Sequence, residues 1–219
     1  MFRNLLKAVT VTLFLITANL AQALVVPAGL NPGDTYQLAF VTAGTRNAAF
    51  SNISTYNTFV QTEAGLNTSL TGAGVNWSVI GSTSNVDARD NALVSAPVYL
   101  LDGSTIIAND FSDMWDGSID APIDIDQFGL TVVTDLVHTG SLPDGTNAGT
   151  NSLGSAQNGS VGSTNQTSGA WISNGADQTS ILRPFYALSE VLTVPVPEPM
   201  SGSLIAAGAL VMLLRRRRR

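Results

Sequence analysis

The chain has 219 residues, of which 44% are hydrophobic and 12% charged, with 16 Asp and Glu against 10 Lys and Arg and no cysteine. The absence of cysteine excludes disulfides, thiol catalysis and cysteine-ligated metal centres. Between Leu24 and Val196 only Arg46, Arg89 and Arg183 are basic, while 15 of the 16 acidic residues fall there (Glu198 is the exception), so this stretch carries a net charge near −12, which argues against nucleic acid and anionic lipid as partners.

The elements follow in chain order. Arg3 and Lys7 precede an apolar stretch from Ala8 to Leu20, and Ala21-Gln22-Ala23 is a small-x-small cleavage site. Together they form a secretory signal over residues 1–23, with Leu24 as the expected mature N-terminus. Thr35 to Ala43 alternates, with Tyr36, Leu38 and Phe40 on one face, and reads as a strand. Ser51 to Ala64 reads as an amphipathic helix. Ile53, Tyr56, Phe59 and Val60 recur at helical spacing, Ser51 or Asn52 can cap its start, and Gly65 can end it.

Trp77 to Ile80 and Val98 to Leu101 are short strand candidates, the second turned by Asp102-Gly103. Asp110 to Trp115 fits one helical turn. Leu130 to Val133 is an apolar run before a tract from Thr139 to Gly169 whose only large aliphatics are Leu142, Leu153 and Val161. That tract is expected on the surface with little regular structure. Trp171-Ile172 and a strand-like segment from Phe185 to Val194 close the body. Burial is expected to alternate along the first and last of these strands. The sum is an α+β body with one main helix and a mostly antiparallel sheet.

The end of the chain runs Pro197-Glu198-Pro199, an uncharged apolar segment from Ser201 to Leu214, then Arg215, Arg216, Arg217, Arg218 and Arg219. As a helix the apolar segment spans roughly 21 Å, short of the ~30 Å hydrocarbon core. The arginines would hold this end on the cytoplasmic side of a membrane and leave the body outside it. An ordinary C-terminal anchor and a basic nucleic-acid arm are the alternative readings, although basic arms are usually flanked by polar sequence. Triplet, short helix and arginine cluster, in this order, resemble the PEP-CTERM sorting signal of exported bacterial proteins. The resemblance covers residues 196–219. It implies recognition and cleavage at Pro197, Glu198 and Pro199 by an exosortase-type membrane transpeptidase, with signal peptidase acting at the other end.

The body, residues 24–195, also shows a pattern. A first strand is followed by one helix with Phe59-Val60-Gln61, then Trp77 with Ile80-Gly81, Trp115-Asp116-Gly117-Ser118, Gly169-Ala170-Trp171 and Phe185 to Glu190. That order resembles the C-type-lectin-like fold, especially its endostatin-like branch, and the segment from Val137 to Gly145 is similar to part of that branch. The resemblance implies that the two ends of the body come together, with the first and last strands paired near Leu38 and Leu188. The family's cystines are absent here, as are the Glu-Pro-Asn or Gln-Pro-Asp triplets of calcium-dependent sugar binding. A β-sandwich is the alternative architecture, weakened by the helix around Tyr56.

Three constellations bear on chemistry. Asp110, Asp113, Asp116, Asp120, Asp124 and Asp126 form the densest acidic cluster, and their oxygens suit calcium, but the spacing is not that of an EF-hand and turn capping is the simpler role. His138 is the one histidine, and no Gly-x-Ser-x-Gly elbow accompanies it in the body, so a hydrogen-bonded turn residue is expected there. Trp77, Trp115 and Trp171 are a sugar-stacking surface or, more simply, core. No cofactor and no catalytic residue is expected. The reading is an exported cell-envelope or extracellular-matrix protein with a noncatalytic binding or structural body and an extracellular polysaccharide as a candidate partner. A secreted carbohydrate-active hydrolase is the alternative.

Overall fold

The computed structural model describes residues 24–71, 74–132 and 136–197. Strand β1 (Thr35–Val41) is followed by the main helix α1 (Ile53–Gly65) and a single turn α2 (Thr68–Thr71). Strand β2 (Trp77–Val79), a turn α3 (Ala88–Asn91), strands β3 (Val98–Leu100) and β4 (Ile106–Ala108) and a turn α4 (Phe111–Met114) come next. Then follow β5 (Leu136–His138), β6 (Asn158–Ser163), β7 (Gly175–Gln178), β8 (Tyr186–Ser189) and β9 (Leu192–Thr193). Helix α1 begins where Asn52 accepts a hydrogen bond from the Ser54 N–H, so of the two predicted caps it is Asn52 that serves. Among the described residues no helix is long and apolar enough to cross a membrane, and the predicted signal and C-terminal helices lie outside the described residues.

The larger sheet has the order β2-β8-β1-β3-β4, with β9 also on β1. Only β1 and β3 run parallel. The expected terminal pairing is present: Ala39 lies opposite Leu188 and Tyr36 opposite Leu192, both antiparallel. The pairing slips by one residue between β8 and β9, and there the Leu38 N–H is taken by the Ser189 Oγ at 2.9 Å. Strands β5, β6 and β7 form a second, antiparallel sheet.

Two expectations are corrected. Burial does not alternate along β1 or β8: every residue from Tyr36 to Val41 and from Tyr186 to Ser189 is buried. The sheet is covered on both faces. Tyr36, Leu38 and Phe40 face α1 through Tyr56, Val60 and Ala64, while Ala39 and Val41 belong to a separate cluster with Val137, Trp115, Trp171 and Tyr186. Alternation marks a half-exposed strand, and a strand with two covers loses it.

The tract from Thr139 to Gly169 is not a surface loop. It contains β6, and Thr139, Ser141, Ser152, Leu153, Ser160, Val161, Ser163 and Thr164 are buried. Hydroxyls replace aliphatics in its packing. The Thr139 hydroxyl donates to the Ile172 carbonyl at 2.6 Å, the Ser160 hydroxyl to the Ser141 carbonyl at 3.0 Å, and the Ser82 and Ser141 hydroxyls lie 2.8 Å apart. Glycines bring the backbones into contact: at Gly140 (φ +64°) a Cβ would meet the Leu153 nitrogen at 2.3 Å. A short, polar, close-packed core needs few large side chains once its polar atoms are paired.

Helix α1 also finishes the free edge of β2. The Val79 N–H donates to Asn57 Oδ1 at 2.9 Å and the Trp77 N–H to Gln61 Oε1 at 2.8 Å. Four helical residues rise about 6 Å, and two strand residues about 6.7 Å, so an i, i+4 amide pair matches alternate strand N–H groups. Asn91 completes the row, donating to the Val79 carbonyl at 2.8 Å and exchanging two 2.9 Å hydrogen bonds with the Asn57 amide.

Candidate functional site

The acidic cluster spreads over turns. Asp110 accepts the Asp113 N–H at 3.0 Å and so caps α4. Asp113 accepts the Asn109 backbone and side-chain N–H groups at 2.6 and 2.9 Å, and the same amide reaches Asp120 at 3.1 Å. Asp116 accepts from the Ser118 N–H and hydroxyl at 3.0 and 2.9 Å. Asp126 closes the next turn, accepting from the Phe128 and Leu130 N–H groups at 2.8 and 2.9 Å. The Asp124 charge acts instead on the buried Tyr186 hydroxyl, whose pKa is raised first by burial and then by that charge. Among the described residues no group of three or more His, Asp or Glu side chains could hold a metal ion.

All three tryptophans are buried. Trp77 meets Phe40 edge to face at 4.9 Å, and Trp171 lies between Trp115 at 6.1 Å and Tyr186 at 5.8 Å. They are core residues and present no stacking platform to solvent.

His138 ends strand β5 and is fully buried, a correction to the expected turn position. It is hydrogen-bonded as expected, but to a main-chain carbonyl, with Nε2 2.9 Å from the Ile181 oxygen. Its Nδ1 has no partner among the described residues. Neither ring nitrogen is paired with a serine hydroxyl or a carboxylate, so the two contacts of a nucleophilic triad are not made at this residue.

The chain leaves the sheet where the sorting motif was expected. Among the described residues Val194 is the last buried one, held by the Val194 N–H to the Asp34 carbonyl at 2.9 Å and the Gly33 N–H to the Val194 carbonyl at 3.0 Å. Pro195, Val196 and Pro197 are exposed, Val196 by 66%. At the same end of β1, the Tyr36 hydroxyl holds the Val25 carbonyl at 3.1 Å. Both ends of the described body therefore emerge together. Ala21, Ala23, Glu198, Pro199 and Arg215 to Arg219 lie outside the described residues.

Two polar groupings were not found from the sequence. The Glu63 carboxylate on α1 is only 9% exposed and accepts from the Gly44 N–H and the Gln127 amide, both at 2.9 Å. Gln127 in turn accepts the Ala43 N–H at 2.8 Å. The spacing of Glu63 from Tyr56 and Val60 puts it on the buried stripe, and that was the available signal. The second grouping joins Asp177 of β7 to Arg183 through Nε at 2.8 Å and through Nη2. Arg183 holds the Asp177 carboxyl below the usual carboxylate range. Arg46 pairs its backbone with Arg183 and stacks its guanidinium 4.7 Å from the Phe50 ring. Two of the three arginines of an acidic body thus sit together.

One cleft of about 240 Å³ opens beside β2 and β8 and is lined by Asn76, Ser78, Asn91, Ser189 and Glu190 with Leu93 and Val191 at its sides. Glu190 is already engaged there, accepting from the Asn76 N–H and amide at 3.1 and 3.0 Å. No protein-family model matches the chain, and no curated protein matches it either.

Proposed function

We propose that this is an exported cell-envelope or extracellular-matrix protein, with a noncatalytic C-type-lectin-like body, that is processed at Pro197-Glu198-Pro199 by a membrane transpeptidase. The observation that carries the reading is the exposed strap. Among the described residues Val194 is the last that is hydrogen-bonded to the sheet, and Pro195, Val196 and Pro197, the first residue of the triplet, are exposed and lie outside any strand or helix. A protease or transpeptidase needs accessible substrate, and the exposed residues 195–197 lead into the triplet without being part of the sheet.

The lectin-like reading of the body is supported by its topology. The first strand pairs with the last two, one main helix follows the first strand, and a second small sheet covers the face opposite that helix. The noncatalytic reading is supported by the engagement of the acidic side chains in turns and of His138 with a carbonyl.

Mass spectrometry of the exported wild-type protein checks the processing. A mature chain starting at Leu24 and ending near the triplet is the expected result. Glu198→Ala should leave most of the protein uncleaved and membrane-associated, a severalfold shift in the cleaved fraction. An exported wild-type chain that retains Arg215 to Arg219 would rule the processing out.

A further inference from the structure

His138 is the single histidine of the chain and none of its side chain reaches solvent. A carbonyl can only accept, so the 2.9 Å contact with the Ile181 oxygen places the ring hydrogen on Nε2 and leaves the lone pair on Nδ1. The His138 backbone N–H donates to the Pro184 carbonyl at 3.1 Å. One residue of β5 therefore grips both ends of the 181–184 segment, which connects β7 in the small sheet to β8 in the large one. Ile181 and Leu182 between those two grips are exposed.

We propose that His138 is an acid-sensitive latch that fastens the β7–β8 connection, and with it the small sheet, to the main sheet. Protonation must occur at Nδ1. It would put an N–H donor and a full charge at a buried atom that has no acceptor among the described residues. The charged groups around the ring do not compensate. Arg183, on the connection, repels an imidazolium. Asp177, on β7, attracts one, but its Oδ2 is already held by two nitrogens of Arg183. Arg46, backbone-paired to Arg183, stacks on Phe50 and Phe59. The Phe185 ring, 5.7 Å away and tilted by 44°, brings no charge to the imidazole.

Burial is the largest influence and lowers the imidazole pKa, with Arg183 lowering it further, against the opposing Ile181 hydrogen bond and Asp177 charge. The sign follows. The unfolded or opened chain has a histidine of pKa ~6.5 and takes up a proton first as pH falls. The closed state is therefore fully favoured above that value, and its advantage falls by up to ~tenfold per pH unit below it, until the closed state itself protonates.

Hydrogen exchange of the full chain, read by mass spectrometry and corrected for the intrinsic pH dependence of exchange, tests this. Between pH 6.5 and 5, peptides containing His138 and residues 181–184 should lose protection by up to ~tenfold per pH unit, ahead of peptides from β1. His138→Gln keeps a donor near the Nε2 position and binds no proton, so its protection should not change over that range. The imidazole resonance of a histidine-labelled wild-type chain should show no titration near pH 6.5 while the fold persists. A flat wild-type profile, an equal loss in His138→Gln, or an imidazole titrating normally in the protected state would each overturn the latch. If His138→Gln does not fold, the imidazole titration decides alone.

Discussion

Gly162→Ala is expected to prevent stable folding. Its Cβ would stand 2.0 Å from the Trp171 carbonyl oxygen, 2.8 Å from its carbon and 2.9 Å from the Ile172 Cα. All three atoms are main chain, so no rotamer change relieves the contact. Trp171 cannot retreat easily, because its ring lies between Trp115 and Tyr186 and its carbonyl accepts the Tyr186 hydroxyl at 3.2 Å. Overpacking that side chains can absorb costs ~1–3 kcal/mol, and a main-chain collision belongs at or above the top of that range. Against a total stability of ~5–15 kcal/mol such a loss is decisive. Gly159→Ala in the same strand is the control. Its Cβ would meet nothing closer than the Thr179 methyl at 3.5 Å, and removing a strand glycine gains roughly 0.5–1 kcal/mol. Denaturant midpoints should therefore fall steeply for the first variant and hold or rise for the second. Equal midpoints would mean that the two backbones are not packed as described.

Gln37→Leu is expected to destabilise the body by about 3 kcal/mol or more, although it conserves volume. Gln37 lies in the middle of the hydrophobic sheet and is 1% exposed. Its amide donates to the Ser189 and Leu93 carbonyls at 2.8 and 3.0 Å, and its oxygen accepts the Ser95 and Ala96 N–H groups at 2.7 and 3.2 Å. Leucine leaves all four backbone groups without this partner, and those of Ser189 and Ala96 are buried. Each buried orphan costs ~1–3 kcal/mol. The 93–96 segment should also loosen first, seen as early loss of exchange protection there. A leucine variant as stable as the wild type would show that these four bonds contribute nothing net.

What the sequence made legible was whatever depends on local chemistry. Tyr36, Leu38 and Phe40 marked β1, Asn52 marked the start of α1, and Asp110 marked the cap of α4, because periodicity and capping act over one or two turns. The pairing of β1 with β8 was expected only through the fold that the order of the elements resembles. The misread features are long-range. Ala39 and Val41 looked like the outer face of a two-faced strand until a second sheet, distant in sequence, covered them. Ser141, Ser160 and Gly162 looked like loop residues because their partners, Ser82, Trp171 and Ile172, lie up to dozens of positions away. His138 carried the same ambiguity, since nothing within a few residues of it announces the Ile181 carbonyl.

The amide row of Asn57, Gln61 and Asn91 along β2 has a consequence for the protein at high concentration. A sheet edge with unoccupied N–H and C=O groups recruits strands from other molecules, which leads to swapping and fibrils. Here the outward N–H groups of Trp77 and Val79 are already taken, and on the opposite edge the Ile107 carbonyl is taken by the Asp120 N–H at 2.8 Å. The end strands of the six-stranded sheet therefore offer fewer open groups for growth, without a barrel and without a cystine. A crowded layer of such molecules would stay built of separate units, and any cohesion among them would have to come from their loops or their ligands.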